Sequence, residues 1–105
     1  PRHQTTLLHR LRLGVAYTQV FKHKIRLADN PLCSSCNVPQ DIDHIFLHCT
    51  KYSLQRKTLS NTLSRLDSRP LSIDKILGSW SSNLDCATAA KAAVKFIKDC
   101  DLKDL

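Results

Sequence analysis

A chain of 105 residues that is 42% apolar can bury one modest core, and at this size a metal or cross-link adds usefully to stability. Two glycines and four prolines are too few for a Gly/Pro-punctuated β-sandwich or a disordered linker, and no apolar run reaches the eighteen residues of a membrane span. Sixteen Lys and Arg against nine acids, all of them Asp, give a net charge of +7 and a pI of about 9.4, which suits a polyanionic partner.

The first element is helical. In QTTLLHRLRL (4–13), Leu7, Leu8 and Leu11 form one apolar stripe with Arg10 and Arg12 off it, and Gly14 is placed to stop the helix in the left-handed conformation. The N-terminal segment is too basic, and its apolar run too short, for a secretory signal. The absence of any Met is expected of a fragment from a longer polypeptide. Thr18 then caps a second helix, TQVFKHKIRLA, with Val20, Phe21, Ile25 and Leu27 inward and Lys22 and Arg26 along a basic edge. Asn30-Pro31 closes it, because a residue before proline avoids the α region.

After the cysteine-rich stretch, residues 51–66 repeat apolar groups at Tyr52, Leu59, Leu63 and Leu66, with Arg56, Lys57 and Arg65 on or near the other faces. Asp67-Ser68-Arg69-Pro70 is a turn. Ser72 caps a short helix, IDKIL, that ends at Gly78. The last helix covers 84–98, with Ala87, Ala90, Val94 and Ile97 inward and Lys91, Lys95 and Lys98 outward, before a fraying tail, DLKDL. The expected architecture is a single all-α domain of five or six short helices interrupted by one irregular loop: basic helices at 1–30, a metal loop at 31–50 and a helical tail at 51–105.

Charge follows the same division. Residues 1–30 carry six bases and one acid, 31–50 carry two Asp and no Lys or Arg, 51–70 carry five bases and one acid, and 71–105 balance. The excess therefore sits on the two segments that flank the loop.

The loop reads CSSCNVPQDIDHIFLHC (33–49), three cysteines and two histidines in one short stretch. A C-x2-C pair lets one tight turn aim Cys33 and Cys36 at one centre. His44 follows after seven residues, on a helical segment that Asp41 is placed to cap, and Cys49 after four more. Zn²⁺ accepts four such ligands tetrahedrally, and a shell closed by protein leaves no position for an activated water, so the site is expected to be structural. His48 competes for the fourth place, because His44 and His48 lie i, i+4 on one helix face. Residues five apart on a regular helix point about 140° apart, so Cys49 joins only where the helix ends or bends. The greater strength of thiolate as a zinc ligand and a break at Thr50-Lys51 favour Cys49, but spacing alone leaves both open.

A redox reading of C-x-x-C lacks the βαβ context it needs. Two cysteines in so polar a setting as CSSC are poor candidates for ordinary buried core residues. Cys86 and Cys100 read as helix-tail thiols, and His3, His9 and His23 as residues of basic faces. Five cysteines, three at ligand spacing, fit a reducing intracellular compartment, nuclear or cytoplasmic, rather than a secreted disulfide scaffold.

The order His9-Arg10-Leu11-Arg12-Leu13-Gly14, then Ile25–Cys36, then Asp43-His44-Ile45-Phe46-Leu47-His48-Cys49, resembles the C-terminal region of non-LTR (LINE-type) retrotransposon polyproteins. There it follows the reverse transcriptase and, in some lineages, a ribonuclease H domain. The likeness covers about residues 5–55. It departs from the family at Val15, where a histidine often follows the glycine. The resemblance implies that Cys33, Cys36, His44 and Cys49 bind the zinc. It also implies an accessory module that binds element RNA or target DNA during target-primed reverse transcription.

No Tyr-x-Asp-Asp and no carboxylate cluster for two-metal chemistry is present, so no enzyme is expected. Expected phosphate contacts are Arg10, Arg12, Lys22, Lys24, Arg26, Lys51, Arg56 and Lys57, with Tyr17, Phe21 and Tyr52 available for base stacking unless the core takes them. The alternative is a zinc-stabilised scaffold that docks onto the rest of the parent polyprotein or a host protein through apolar groups such as Trp80 and Leu84.

Overall fold

A computed structural model of the chain describes residues 2–78, 80–102 and 105, with side chains from residue 6 onward. In order it contains α1 (Arg2–Leu13), α2 (Gln19–Lys24), a π turn (His44–His48), a 3₁₀ turn (Thr50–Tyr52), α3 (Ser53–Ser64), α4 (Ile73–Leu77) and α5 (Asn83–Asp99). No strand occurs among the described residues; the one β-like feature is an isolated antiparallel bridge between Leu32 and Pro39. The domain is all-α. The expected basic-face position of His3, and Lys103 and Asp104 of the tail, lie outside what is described.

Helix α5 is the central strut, packed against α3, α4 and α1. Its buried stripe is Ala89, Ala93, Phe96 and Ile97. The expected stripe of Ala87, Ala90, Val94 and Ile97 is thus rotated: Ala87 is exposed, and Ala90 and Val94 are half-buried. Phe96 decides the rotation, because it is the large apolar group of the helix and stacks on Phe46 at 5.0 Å between ring centroids. Leu59 and Leu63 of α3, Ile76 and Leu77 of α4, and Leu7 and Leu11 of α1 are buried with it in the core.

Caps set the element boundaries. Thr18, Ser72 and Ser82 accept from the backbone N–H groups of Phe21, Lys75 and Asp85, satisfying donors that a helix N-terminus leaves free. Three helices end in one way, with a residue at positive φ and the following N–H reaching back to a carbonyl in the last turn. The pairs are Gly14 (φ 73) with Val15 N–H to Arg10 O, Arg26 (φ 66) with Leu27 N–H to Lys22 O, and Asp101 (φ 58) with Leu102 N–H to Ile97 O. The second of these shortens the helix expected over 18–28. Once Arg26 turns left-handed, Ile25 and Leu27 cannot stay on the inner stripe, and both are exposed. The third turns the tail inward. Leu102 and Leu105 pack against the core, and Leu105 O accepts from Tyr17 N–H, so these residues do not fray.

Lys75 is buried. Its ammonium is held by Asp67 Oδ1 at 3.1 Å and by the backbone carbonyls of Asp67 and Arg69, which satisfies a charge that would otherwise be costly to bury. Arg69 in turn lies over the Trp80 ring, 4.6 Å from its centroid. At Gly78 a Cβ would stand 2.3 Å from Asp74 O, so only glycine lets α4 end against its own carbonyl.

Candidate metal centre

Residues 31–40 fold into a small hairpin. Cys33 N–H donates to Val38 O at 2.7 Å, Asn37 N–H to Cys33 O at 2.8 Å and Gln40 N–H to Pro31 O at 2.9 Å. Asn37 takes the left-handed conformation (φ 58) that the reversal needs, and asparagine tolerates it better than most residues. The tip so formed points Cys33 and Cys36 to one side. Gln40 then ties the hairpin to α2: its backbone carbonyl accepts from Val20 N–H and its side-chain oxygen from Gln19 N–H.

The second pair of candidate ligands comes from 41–49. Asp41 Oδ1 accepts from His44 N–H at 2.8 Å, fixing the start of the turn as its position suggested. The chain then winds as a π turn, closed by Cys49 N–H to His44 O at 2.7 Å. An i→i+5 turn is wider than an α turn, and it brings residues five apart close to one side. This is the bend that Cys49 requires. Beyond it Cys49 is extended (φ −68, ψ 121), and the chain leaves for α3.

The result is a cluster in which one ligand atom each from Cys33, Cys36, His44 and Cys49 lies within 4.8 Å of the others. Cys49 Sγ is 3.8 Å from both Cys33 Sγ and Cys36 Sγ. Zinc–thiolate bonds of about 2.3 Å at a tetrahedral angle place sulfurs about 3.8 Å apart, so the thiols already have the spacing of ligands. His44 Nε2 is buried without a hydrogen-bond partner. Such an orphaned nitrogen is costly unless a metal or donor satisfies it. These four residues can hold one metal ion. His48 is exposed and lies outside the cluster.

The surroundings favour the ligating protonation states unevenly. Hydrogen bonds from the Thr50 side chain and backbone pull the Cys36 thiol down to about 7. Burial pushes Cys49 up to about 11, against a backbone hydrogen bond from Lys51. Burial also lowers His44, against the pull of Asp41, which keeps the imidazole neutral as a metal requires. Thr50 and Lys51 thus turn donors toward two of the sulfurs, a role that only their position directly after the last ligand would have signalled.

Arg56 occupies a place that charge alone did not indicate. Its Nε donates to Phe46 O at 2.8 Å, and one terminal nitrogen donates to Ile45 O at 3.1 Å and Cys49 O at 2.8 Å. These are the carbonyls that the end of a helical turn leaves open, and the planar guanidinium reaches all three. Arg56 therefore secures the metal loop rather than offering its fork to a phosphate.

The other expected phosphate contacts divide. Arg12 Nε donates to Leu77 O, Arg10 lies over the Tyr17 ring at 5.3 Å, and Lys51 lies over Tyr52 at 5.6 Å. Lys24, Arg26 and Lys57 are exposed, and Lys22 is half-buried. Tyr52 belongs to the core, Phe21 is half-buried and Tyr17 is exposed. No helix of the described residues is long and apolar enough to cross a membrane. Comparison with protein-family models, curated proteins and solved structures finds no match for this chain.

Proposed function

We propose that this chain is a zinc-stabilised, non-catalytic nucleic-acid-binding module, of the kind found at the C-terminus of non-LTR retrotransposon reverse transcriptases. In that setting it would bind element RNA or target DNA. The observation that carries the reading is the four-ligand cluster of Cys33, Cys36, His44 and Cys49, flanked in sequence by the two segments that hold the basic excess. Three thiolates and an imidazole are a zinc donor set, and a bound zinc would cross-link the hairpin to the π turn. Its three thiolates would leave the centre one negative charge in excess, which Arg56, bonded to Cys49 O, is placed to offset. That leaves Lys22, Lys24, Arg26 and Lys57 as the principal phosphate contacts, positioning the backbone without reading sequence.

Elemental analysis of the purified protein should find one zinc per chain. Changing Lys22, Lys24, Arg26 and Lys57 to Glu should abolish binding to single-stranded RNA and duplex DNA in anisotropy titrations and flatten its salt dependence. Normal binding by that variant would sink the proposal. Docking to the rest of a polyprotein is the second reading, supported by exposed Leu84 and Leu27 but no longer by Trp80, which packs against the core. Capture of the polymerase portion, with no nucleic-acid affinity at low salt, would favour it.

A further inference from the structure

A depression of about 400 Å³ lies where α2, the metal hairpin and the segment after α5 meet, lined by Tyr17, Gln19, Lys22, Ser34, Gln40 and Asp101 together with leucines. Its volume falls in the range of small-ligand sites. Tyr17 is the aromatic group of the lining, and one face of its ring is covered. Arg10 stands over it at 5.3 Å, and Phe21 meets it tilted at 5.8 Å between centroids. It is 39% exposed.

We infer that this depression receives one unpaired base of a single-stranded nucleic acid, stacked on Tyr17 with its edge toward the two glutamines. The inference rests on the nucleic-acid-binding reading and adds a site and a strand state to it. A base offers the flat face that an exposed tyrosine stacks, and every base has one. The glutamine side chains are each half used. Gln40 accepts from Gln19 N–H with its oxygen and keeps its amide NH₂, while Gln19 donates its NH₂ to Asn30 O and keeps its oxygen. One donor and one acceptor, with the Ser34 hydroxyl, match the mixed edge of a nucleobase.

The Lys22 ammonium in the lining is placed to meet the phosphate of the stacked nucleotide. A paired base in a duplex cannot present its face to Tyr17. The site therefore selects single strands.

The test compares a single-stranded RNA with the same backbone without bases, matched in length and charge, and with a shorter duplex that carries the same number of phosphates. The wild-type protein should prefer the base-bearing strand over the abasic one by about 5- to 150-fold, the span of one stacked base. Tyr17→Ala should erase that preference while leaving abasic and duplex affinity and the salt slope unchanged, and Tyr17→Phe should retain it. Ser34→Phe, at an exposed rim position, should block the depression and give the same loss without touching the ring. Helical dichroism and metal content check that each variant folds. Equal wild-type affinity for the base-bearing and abasic strands, or an undiminished preference in folded Tyr17→Ala, overturns the inference alone. No affinity of the wild type for any probe at low salt overturns the nucleic-acid reading with it.

Discussion

Two adjacent residues, His48 and Cys49, separate competing accounts of the metal loop. With Cys49 buried at 3.8 Å from two other sulfurs and His48 in solvent, Cys49→Ala should lose the metal and His48→Ala should keep one per chain by elemental analysis. Metal retained by Cys49→Ala would refute this ligand set. Arg56 supports a second prediction. Lysine cannot reproduce a fork that serves three carbonyls, and hydrogen bonds to a charged donor contribute about 1.5–3 kcal/mol each. Arg56→Lys should therefore cost about 2–4 kcal/mol in urea denaturation and speed metal loss to a chelator. A change within error would show the carbonyls to be adequately solvated.

Asp67 sets a pH dependence. Partial burial pushes its carboxyl up, but hydrogen bonds from Arg69 and Lys75 outweigh this and hold it below its ordinary value of 3.8. A lowered acid pKa stabilises the fold above the unfolded value and is lost as pH falls through the folded one. Asp67→Asn should thus destabilise the protein near neutrality, with the difference from wild type shrinking below about pH 4. A difference that grows in acid would reverse the sign.

Among the elements, α2 is shorter than its hydrophobic pattern predicts, and the cause is local. Arg26 adopts a left-handed conformation that costs a non-glycine residue about 1–2 kcal/mol. The cost is tolerated because the reversal carries the chain back to place Gln40 on the first turn of α2. Arg26→Gly relieves it, less about 0.5–1 kcal/mol for the greater freedom of unfolded glycine. The variant should be more stable by up to about 1 kcal/mol in urea denaturation, whereas Arg26→Val should be less stable. A glycine variant weaker than wild type would contradict the backbone assignment. The π turn is the opposite case. A regular α turn would send Cys49 away from His44, so its extra residue per hydrogen bond is what assembles the centre.

Across the whole molecule, the metal loop and the helical core are one packed body. Phe46 lies in the π turn between two candidate ligands, is fully buried, and stacks on Phe96 of α5, while Tyr52 meets the same ring edge-on at 6.5 Å. Cys33 and Cys49 are themselves members of the core, so the polar CSSC setting misleads for Cys33, which the fold of the hairpin turns inward. Metal removal should therefore be felt beyond the loop. A chelator should lower the thermal midpoint followed by helical dichroism, and Phe46→Ala, at about 3–5 kcal/mol for a buried aromatic, should lower metal affinity as well as stability. A melt indifferent to chelation would show that folding does not depend on a bound metal.

Local chemistry makes legible in the residues themselves the helical class, the caps at Thr18, Ser72 and Gly14, and the grouping of Cys33, Cys36 and His44 with either His48 or Cys49. Hydrogen bonds and ligand intervals within a few residues are enough for these. The folded chain alone fixes which face of α5 turns inward, where α2 stops, that Lys75 is buried and that Arg56 holds carbonyls. It also decided between Cys49 and His48 in the cluster, and left Tyr17 rather than Tyr52 at the surface. In each case the deciding partner is distant in sequence, or the local geometry departs from the regular helix that periodicity assumes. The ring of Phe96, the carbonyls of Asp67 and Arg69, and the wide turn at His44–His48 have no signature in the residues they govern.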